Sequence, residues 1–271
     1  MSENSKATSP SSSTSSTTST SSPTITLVVP AYNEERRLPT SIRDIRSFMP
    51  VLGVNWELIC VIEKSTDQTV VKATEAAGAD PHVQVIDNKV QRGKGYAVKS
   101  GMLRARGDFV FFMDADLSTP LSEIVKFMAE FAADPQAQVL IGSRAHAKSQ
   151  IIKRQSLFRQ TLGRTFNKFV RIFGVEGLED TQCGFKAFRR QVVAPIFERQ
   201  TLDGFAFDVE ILMLAEEMGL KIRSIPVQWV NSPDSKVRIL IDPLKMLWDL
   251  IRIRSIVRRT LRAQPLAAKL S

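Results

Sequence analysis

Two carboxylates one residue apart, Asp114 and Asp116, close the apolar run Phe109 to Met113 in the segment GDFVFFMDADLSTPLSE, Gly107 to Glu123. A pair of hard oxygen donors at that spacing suits a Mg²⁺ or Mn²⁺ ion that also takes diphosphate oxygens. The run is apolar at every position, which predicts a strand buried on both faces of a parallel sheet. Thr119 followed by Pro120 predicts an N-cap with proline at the first helical position. The carboxylates therefore fall at a strand's C-terminal edge, where open α/β sheets bind ligands. The plain alternative is two aspartates that merely end a strand; the unbroken strand ahead of them favours a site.

Other polar residues follow other strands. Ile25 to Val29 reads as a strand ending in Pro30, Ala31, Tyr32, Asn33, Glu34 and Glu35, with a helix from Leu38 to Phe48 after it. Trp56 to Ile62 is a second strand, ending at Glu63, Lys64, Ser65, Thr66 and Asp67; its helix stops at Gly78. His82 to Asp87 is a third. After it Gly93-Lys94-Gly95 opens a helix and offers backbone amides and one lysine to an anion. Val139 to Gly142 is a further strand, ending at Ser143 and Arg144. Alternation at this spacing predicts a parallel α/β sheet whose loops gather Tyr32, Glu34, Glu63, Asp67, Asp114 and Asp116 on one edge.

Farther along, Glu179 to Phe188 is a polar, glycine-containing segment between two helical stretches. Gly184 there allows close backbone approach, and Lys186 can serve an anion. Phe205 to Met218 reads as a helix with Asp208 and Glu210 near its start, where carboxylates also suit the helix dipole. Pro226 within the strand pattern Lys221 to Val230 marks a sheet edge.

The 271 residues, 43% hydrophobic, suffice for one large domain, placed at 24–235. Residues 1–23 are nearly all Ser, Thr, Asn, Lys and Pro and are expected to be disordered. Residues 236–271 form a basic amphipathic segment: from Lys236 to Arg262, eight Lys and Arg face two Asp, with Leu244, Leu247, Trp248 and Ile251 at helical spacing. Ile151 to Gly174 mixes bases and phenylalanines in a second such stretch. The net charge of +9 fits phosphorylated ligands, an anionic membrane or nucleic acid; no nucleic-acid motif accompanies it, and nucleic acid is not expected as a partner. No apolar stretch reaches about 18 residues, so any membrane role is peripheral. Cys60 and Cys183, without metal-ligand spacing, are expected as reduced thiols in a cytosolic setting.

Together, VVPAYNE (Val28 to Glu34), STDQT (Ser65 to Thr69), GKG (Gly93 to Gly95), DADLSTP (Asp114 to Pro120), GSRAH (Gly142 to His146), DTQCGFK (Asp180 to Lys186) and FAFDVEIL (Phe205 to Leu212) resemble glycosyltransferase family 2, from about Thr24 to Arg254. DTQCGFK looks like the dolichyl-phosphate glucosyltransferase branch; the mannose synthases are more distant. The resemblance implies the GT-A fold, a mixed α/β sheet joining a nucleotide-binding half to an acceptor-binding half. It places Pro30, Tyr32, Glu34, Val61 and Glu63 around base and ribose. Asp114, Ala115 and Asp116 would contact the sugar nucleotide, with Asp116, helped by Ser118, on the metal. Lys94, Arg144 and Lys236 would serve the donor; Asp180, Gln182, Gly184 and Lys186 would face the acceptor. Where the family usually has Asp-Asp-Gly-Ser, this chain has Ile62-Glu63-Lys64-Ser65, and Val230 replaces an arginine.

The implied reaction is inverting transfer of a hexose, from UDP-glucose, to a polyprenyl phosphate at a membrane surface. An anionic acceptor needs no strong base, so a positioning cation such as Lys186 suffices. A hydroxyl acceptor would need a base, Asp208 first and Asp180 second. The alternatives are a soluble family member with a small hydroxyl acceptor and a non-catalytic sugar-nucleotide-binding protein.

Overall fold

A computed structural model describes residues 24–146, 149–153, 178, 180–230 and 242–263. The elements run β1 (Ile25–Ala31), α1 (Leu38–Phe48), β2 (Trp56–Ile62), α2 (Thr69–Ala77), β3 (Val83–Asp87), α3 (Lys94–Met102), β4 (Phe109–Met113), α4 (Glu123–Ala133), β5 (Val139–Ser143) and β6 (Gln150–Lys153). After them come β7 (Phe185–Arg189), α5 (Arg190–Phe197), α6 (Phe207–Glu217), β8 (Ile222–Pro226), β9 (Gln228–Val230) and α7 (Asp242–Ala263).

Seven strands form one sheet in the order β3-β2-β1-β4-β7-β5-β8, and β6 pairs with β9 beside it. β1, β2, β3 and β4 are mutually parallel, as are β5 and β8. β7 runs antiparallel to both β4 and β5. The mixed, mainly parallel GT-A sheet follows.

Successive side chains of a strand point to opposite faces, and both faces here are covered. Phe111 packs with Leu27, Leu58, Phe127, Phe131 and Phe185 on the side of α1, α2 and α4. Its neighbour Phe112 packs with Val28, Val98, Val192, Phe207 and Leu212 on the other. This double cover is why β4 has no polar position. α7 joins the second face through Leu250, Ile253 and Val257.

Two local expectations are corrected. Helix α4 starts at Glu123 rather than Pro120. The chain first makes a turn in which Leu117 takes φ 47°, and the Ser118 amide donates to Asp116 Oδ1 at 3.0 Å. The segment expected to be polar connection between helices contains β7, because Phe185, Ala187 and Phe188 are buried and pair across to β4 and β5. Pro226 does end an edge strand, β8.

At the end of the sheet away from the Asp114–Asp116 turn, Glu57, 6% exposed, accepts from Thr26 Oγ1 (2.6 Å), the Arg106 amide (2.7 Å) and the Arg106 guanidinium (2.7 Å). Glu57→Ala leaves buried Thr26 without this acceptor and is expected to cost about 2 kcal/mol, read as a lower denaturation midpoint at unchanged m-value.

Candidate functional site

The carboxylate turn at the end of β4 lies between two cations. Lys94, at the start of α3, places Nζ 2.6 Å from Asp114 Oδ1. Arg37, just before α1, places Nη1 3.5 Å from Asp116 Oδ2, while its Nε donates to Glu34 Oε2 at 2.6 Å and its Nη2 pairs with Glu34 Oε1. Burial works against the charge on Lys94, but Asp114, Asp208 and Asp116 outweigh it and hold its pKa above the ordinary lysine value. The turn is also braced by Ser41 Oγ, which donates to the Ala115 carbonyl at 2.6 Å. Arg37 escaped the sequence reading: it looks like part of an ordinary charged run before a helix, and its partner Asp116 lies 79 residues away.

Gly184 closes the turn from β7. Its carbonyl accepts from the Asp114 amide at 3.1 Å, and a Cβ built on it would stand 1.9 Å from Asp114 Oδ2. The close approach anticipated at this glycine is thus made by a carboxylate of the chain itself.

The Gly93-Lys94-Gly95 turn is corrected in one respect. The Gly93 and Arg92 amides donate to Glu63 Oε2, at 2.7 and 2.9 Å, and the Tyr96 amide to the Asp203 carbonyl at 3.3 Å. The anion in this cradle is therefore Glu63, and Lys94 alone reaches the carboxylate turn. Gly93 has φ 131°, and a Cβ on it would stand 2.5 Å from the Asp203 carbonyl. Burial pushes the Glu63 carboxyl above its usual range, against the two amides; its other oxygen, Oε1, is buried with no hydrogen-bond partner. Glu210 is a structural clasp, accepting from the Thr201 and Leu202 amides that carry the loop packed on Gly93.

On the far side, Lys186 is fully buried on β7. Its ammonium donates to the Cys183 carbonyl at 2.8 Å and pairs with Asp208 Oδ1 at 2.5 Å, above the Phe112 ring. An acceptor phosphate finds no open face of Lys186 here, because Asp208 already satisfies it. Arg144 grips Asp180 through two bonds of 2.7 Å and lies 5.7 Å from the Trp229 ring. Burial opposes both charges, yet each raises the other's preference for ionisation: the arginine is held above and the aspartate below its ordinary range. Trp229 is drawn to the turn because the Val230 amide donates to the Ser118 carbonyl at 2.8 Å.

Of the remaining predicted residues, Pro30 and Val61 are in-register partners on β1 and β2. Val61 has its side chain in the core with Ile59 and Ala97. Tyr32 and Gln182 are half-buried on their loops, and Ser118 is buried. Lys236, the Ser/Thr-rich residues 1–23 and most of the basic stretch Ile151 to Gly174 lie outside the described residues. Both cysteines are buried free thiols, pushed up to about 12 by burial. Among the described residues no helix is long and apolar enough to cross a membrane.

The paired aspartates end β4 at the carboxyl edge of an open α/β sheet, the place where such sheets bind ligands. Residues 26–197 match the family described as Glycosyl transferase family 2, and the chain belongs to that family. It is 34% identical over 246 residues to the dolichyl-phosphate beta-glucosyltransferase of Saccharomyces cerevisiae, spanning 85% of this chain and 74% of that protein. It is 36% identical over 241 residues to the one of Drosophila melanogaster, spanning 84% and 74%. The fold is shared with glucosyl-3-phosphoglycerate synthase of Mycobacterium tuberculosis, solved with Mn²⁺, UDP-glucose and glycerol 3-phosphate: TM-score 0.62 at 21% identity, covering 87% and 80% of the two chains.

Gly184→Ala forces the Asp114 carboxylate aside. Glycosyl transfer is expected to fall by about 10²-fold or more in kcat/KM, with the circular dichroism spectrum unchanged.

Proposed function

We propose that the protein transfers glucose from UDP-glucose to dolichyl phosphate, or a related polyprenyl phosphate, with inversion at the anomeric carbon. The observation that carries the reading is the carboxylate turn held between Arg37 and Lys94 and closed by Gly184 of DTQCGFK, in a chain about a third identical to dolichyl-phosphate beta-glucosyltransferases over most of its length.

The donor set fits a divalent ion that shares its shell with the substrate. Among the described residues no group of three His, Cys, Asp or Glu stands together; two carboxylates and diphosphate oxygens suit Mg²⁺ or Mn²⁺. Asp116 would hold the ion, with Asp114 beside it, and Ser118 shapes the turn through its amide. When bound, the ion offsets charge on the departing diphosphate. Lys94 and Arg37 add positive charge at the same place. Tyr32 and Glu34, on the loop after β1, and Glu63, after β2, are the residues assigned to base and ribose, and Glu63 Oε1 is buried with no hydrogen-bond partner. On the acceptor side, Arg144 and Trp229 offer a cation and an aromatic face. A phosphate acceptor is favoured over a hydroxyl. Asp208, the base a hydroxyl would need, is 3% exposed and holds buried Lys186.

A lipid acceptor calls for a membrane-facing surface, and α7 supplies one. Leu250, Ile253 and Val257 point into the core, while Trp248, Ile251, Arg252, Arg258, Arg259 and Arg262 recur on the exposed face, Trp248 and Ile251 being 60% and 54% exposed. Each base near an anionic leaflet contributes about 1 kcal/mol, enough together for peripheral attachment at the cytoplasmic surface.

Incubation with UDP-glucose, Mn²⁺ and dolichyl phosphate is expected to yield dolichyl phosphate glucose by mass spectrometry, and Asp116→Asn to abolish it. UDP-glucose binding with no product from any acceptor would leave a binding protein instead. Replacing Trp248 and Ile251 by Ser, with Arg252 and Arg258 by Gln, is expected to release the protein from phosphatidylserine vesicles in a sedimentation assay.

A further inference from the structure

Both aspartates of the turn are paired with cations of the chain, yet the two cations differ. Lys94 places its Nζ 2.6 Å from Asp114 Oδ1. Arg37 is fixed: its fork is anchored on Glu34, buried to 7% exposure, whose backbone amide in turn donates to Thr69 Oγ1 at 2.8 Å. Its Nη1 lies 3.5 Å from Asp116 Oδ2. A positive charge held 3.5 Å from Asp116 Oδ2 weakens the pull of that oxygen on a divalent ion.

We propose that Arg37 is a positioning residue that makes metal binding conditional on the donor. It shields Asp116 with a fixed positive charge, so that a divalent ion gains little from Asp116 until a diphosphate brings further negative charge to the turn. The physical reason is Coulombic. An ion on Asp116 sits within a few ångströms of the guanidinium in a partly buried site, where repulsion is screened far less than in water. Glu34 neutralises part of that charge and fixes its place. A nucleoside diphosphate reverses the balance, since its oxygens attract both ion and guanidinium. Affinities of ion and nucleotide must then rise together, by the same factor in either order. Arg37 links the loop expected to hold ribose with the turn expected to hold the ion. The inference rests on the assignment of Asp116 as metal ligand given above.

Mn²⁺ binding followed by electron paramagnetic resonance, with and without UDP, tests it on the full chain. In the wild type, UDP is expected to tighten Mn²⁺ binding about tenfold or more. Arg37→Gln is expected to bind Mn²⁺ alone about tenfold more tightly than the wild type, and to gain less from UDP. Arg37→Lys, which keeps the charge but loses the fork, is expected to stay close to the wild type with Mn²⁺ alone. Equal Mn²⁺ affinity in the wild type and Arg37→Gln without UDP overturns the proposal, as does equal tightening in Arg37→Lys. Absence of Mn²⁺ binding even with UDP, or its persistence unchanged in Asp116→Asn, overturns the metal assignment itself and this inference with it.

Discussion

Carboxylates carried to the end of a buried strand repel one another and must be met by positive charge before the chain can hold them there. That constraint organises the site. Asp114 is met by Lys94, Asp116 by Arg37, Asp180 by Arg144 and Asp208 by Lys186. The four cations come from the start of α3, the approach to α1, the end of β5 and the centre of β7. Each pair therefore joins segments distant in sequence, and the edge of the sheet is fixed by electrostatics as much as by packing.

The pairs differ in burial, and their roles divide accordingly. Lys186 and Asp208 are almost wholly out of water, in contact with Phe112 and the Cys183 carbonyl. Removing one partner would strand the other, so this pair ties β7 to α6 and lets β7 present Gly184 to Asp114. Lys94, Asp114, Arg37 and Asp116 keep partial exposure. Glu63 stands between these cases, with one oxygen spent on the amides before α3 and one unspent.

Much of this architecture is readable in the sequence. The apolar runs of β1, β2 and β4 announce themselves because both sheet faces are covered, and the carboxylates follow β4 directly. β7 is hard to read for a physical reason: Lys186 sits in the middle of a buried strand, and its compensation, Asp208, lies 22 residues on. The start of α4 is misread because the Ser118 amide serves Asp116 and the chain turns on to Ser122 before the helix begins at Glu123. The Gly93 amide looks free for a ligand anion until Glu63, 30 residues earlier, is seen to take it. Long-range charge pairing is what local pattern lacks. The C-terminal segment is a helix as its periodicity suggests, but Trp248 and Ile251 of the expected apolar stripe are exposed and Leu250, Ile253 and Val257 are the residues that pack.

The Asp114–Asp116 turn is the proposed meeting place of diphosphate, metal and the cations Lys94 and Arg37. A crystal structure of the complex with Mn²⁺ and UDP tests this most directly. The account predicts the ion on Asp116 and on diphosphate oxygens, with Lys94 drawn from Asp114 toward the diphosphate. An ion and diphosphate bound away from this turn, with the Lys94–Asp114 and Arg37–Asp116 pairs undisturbed, would contradict it.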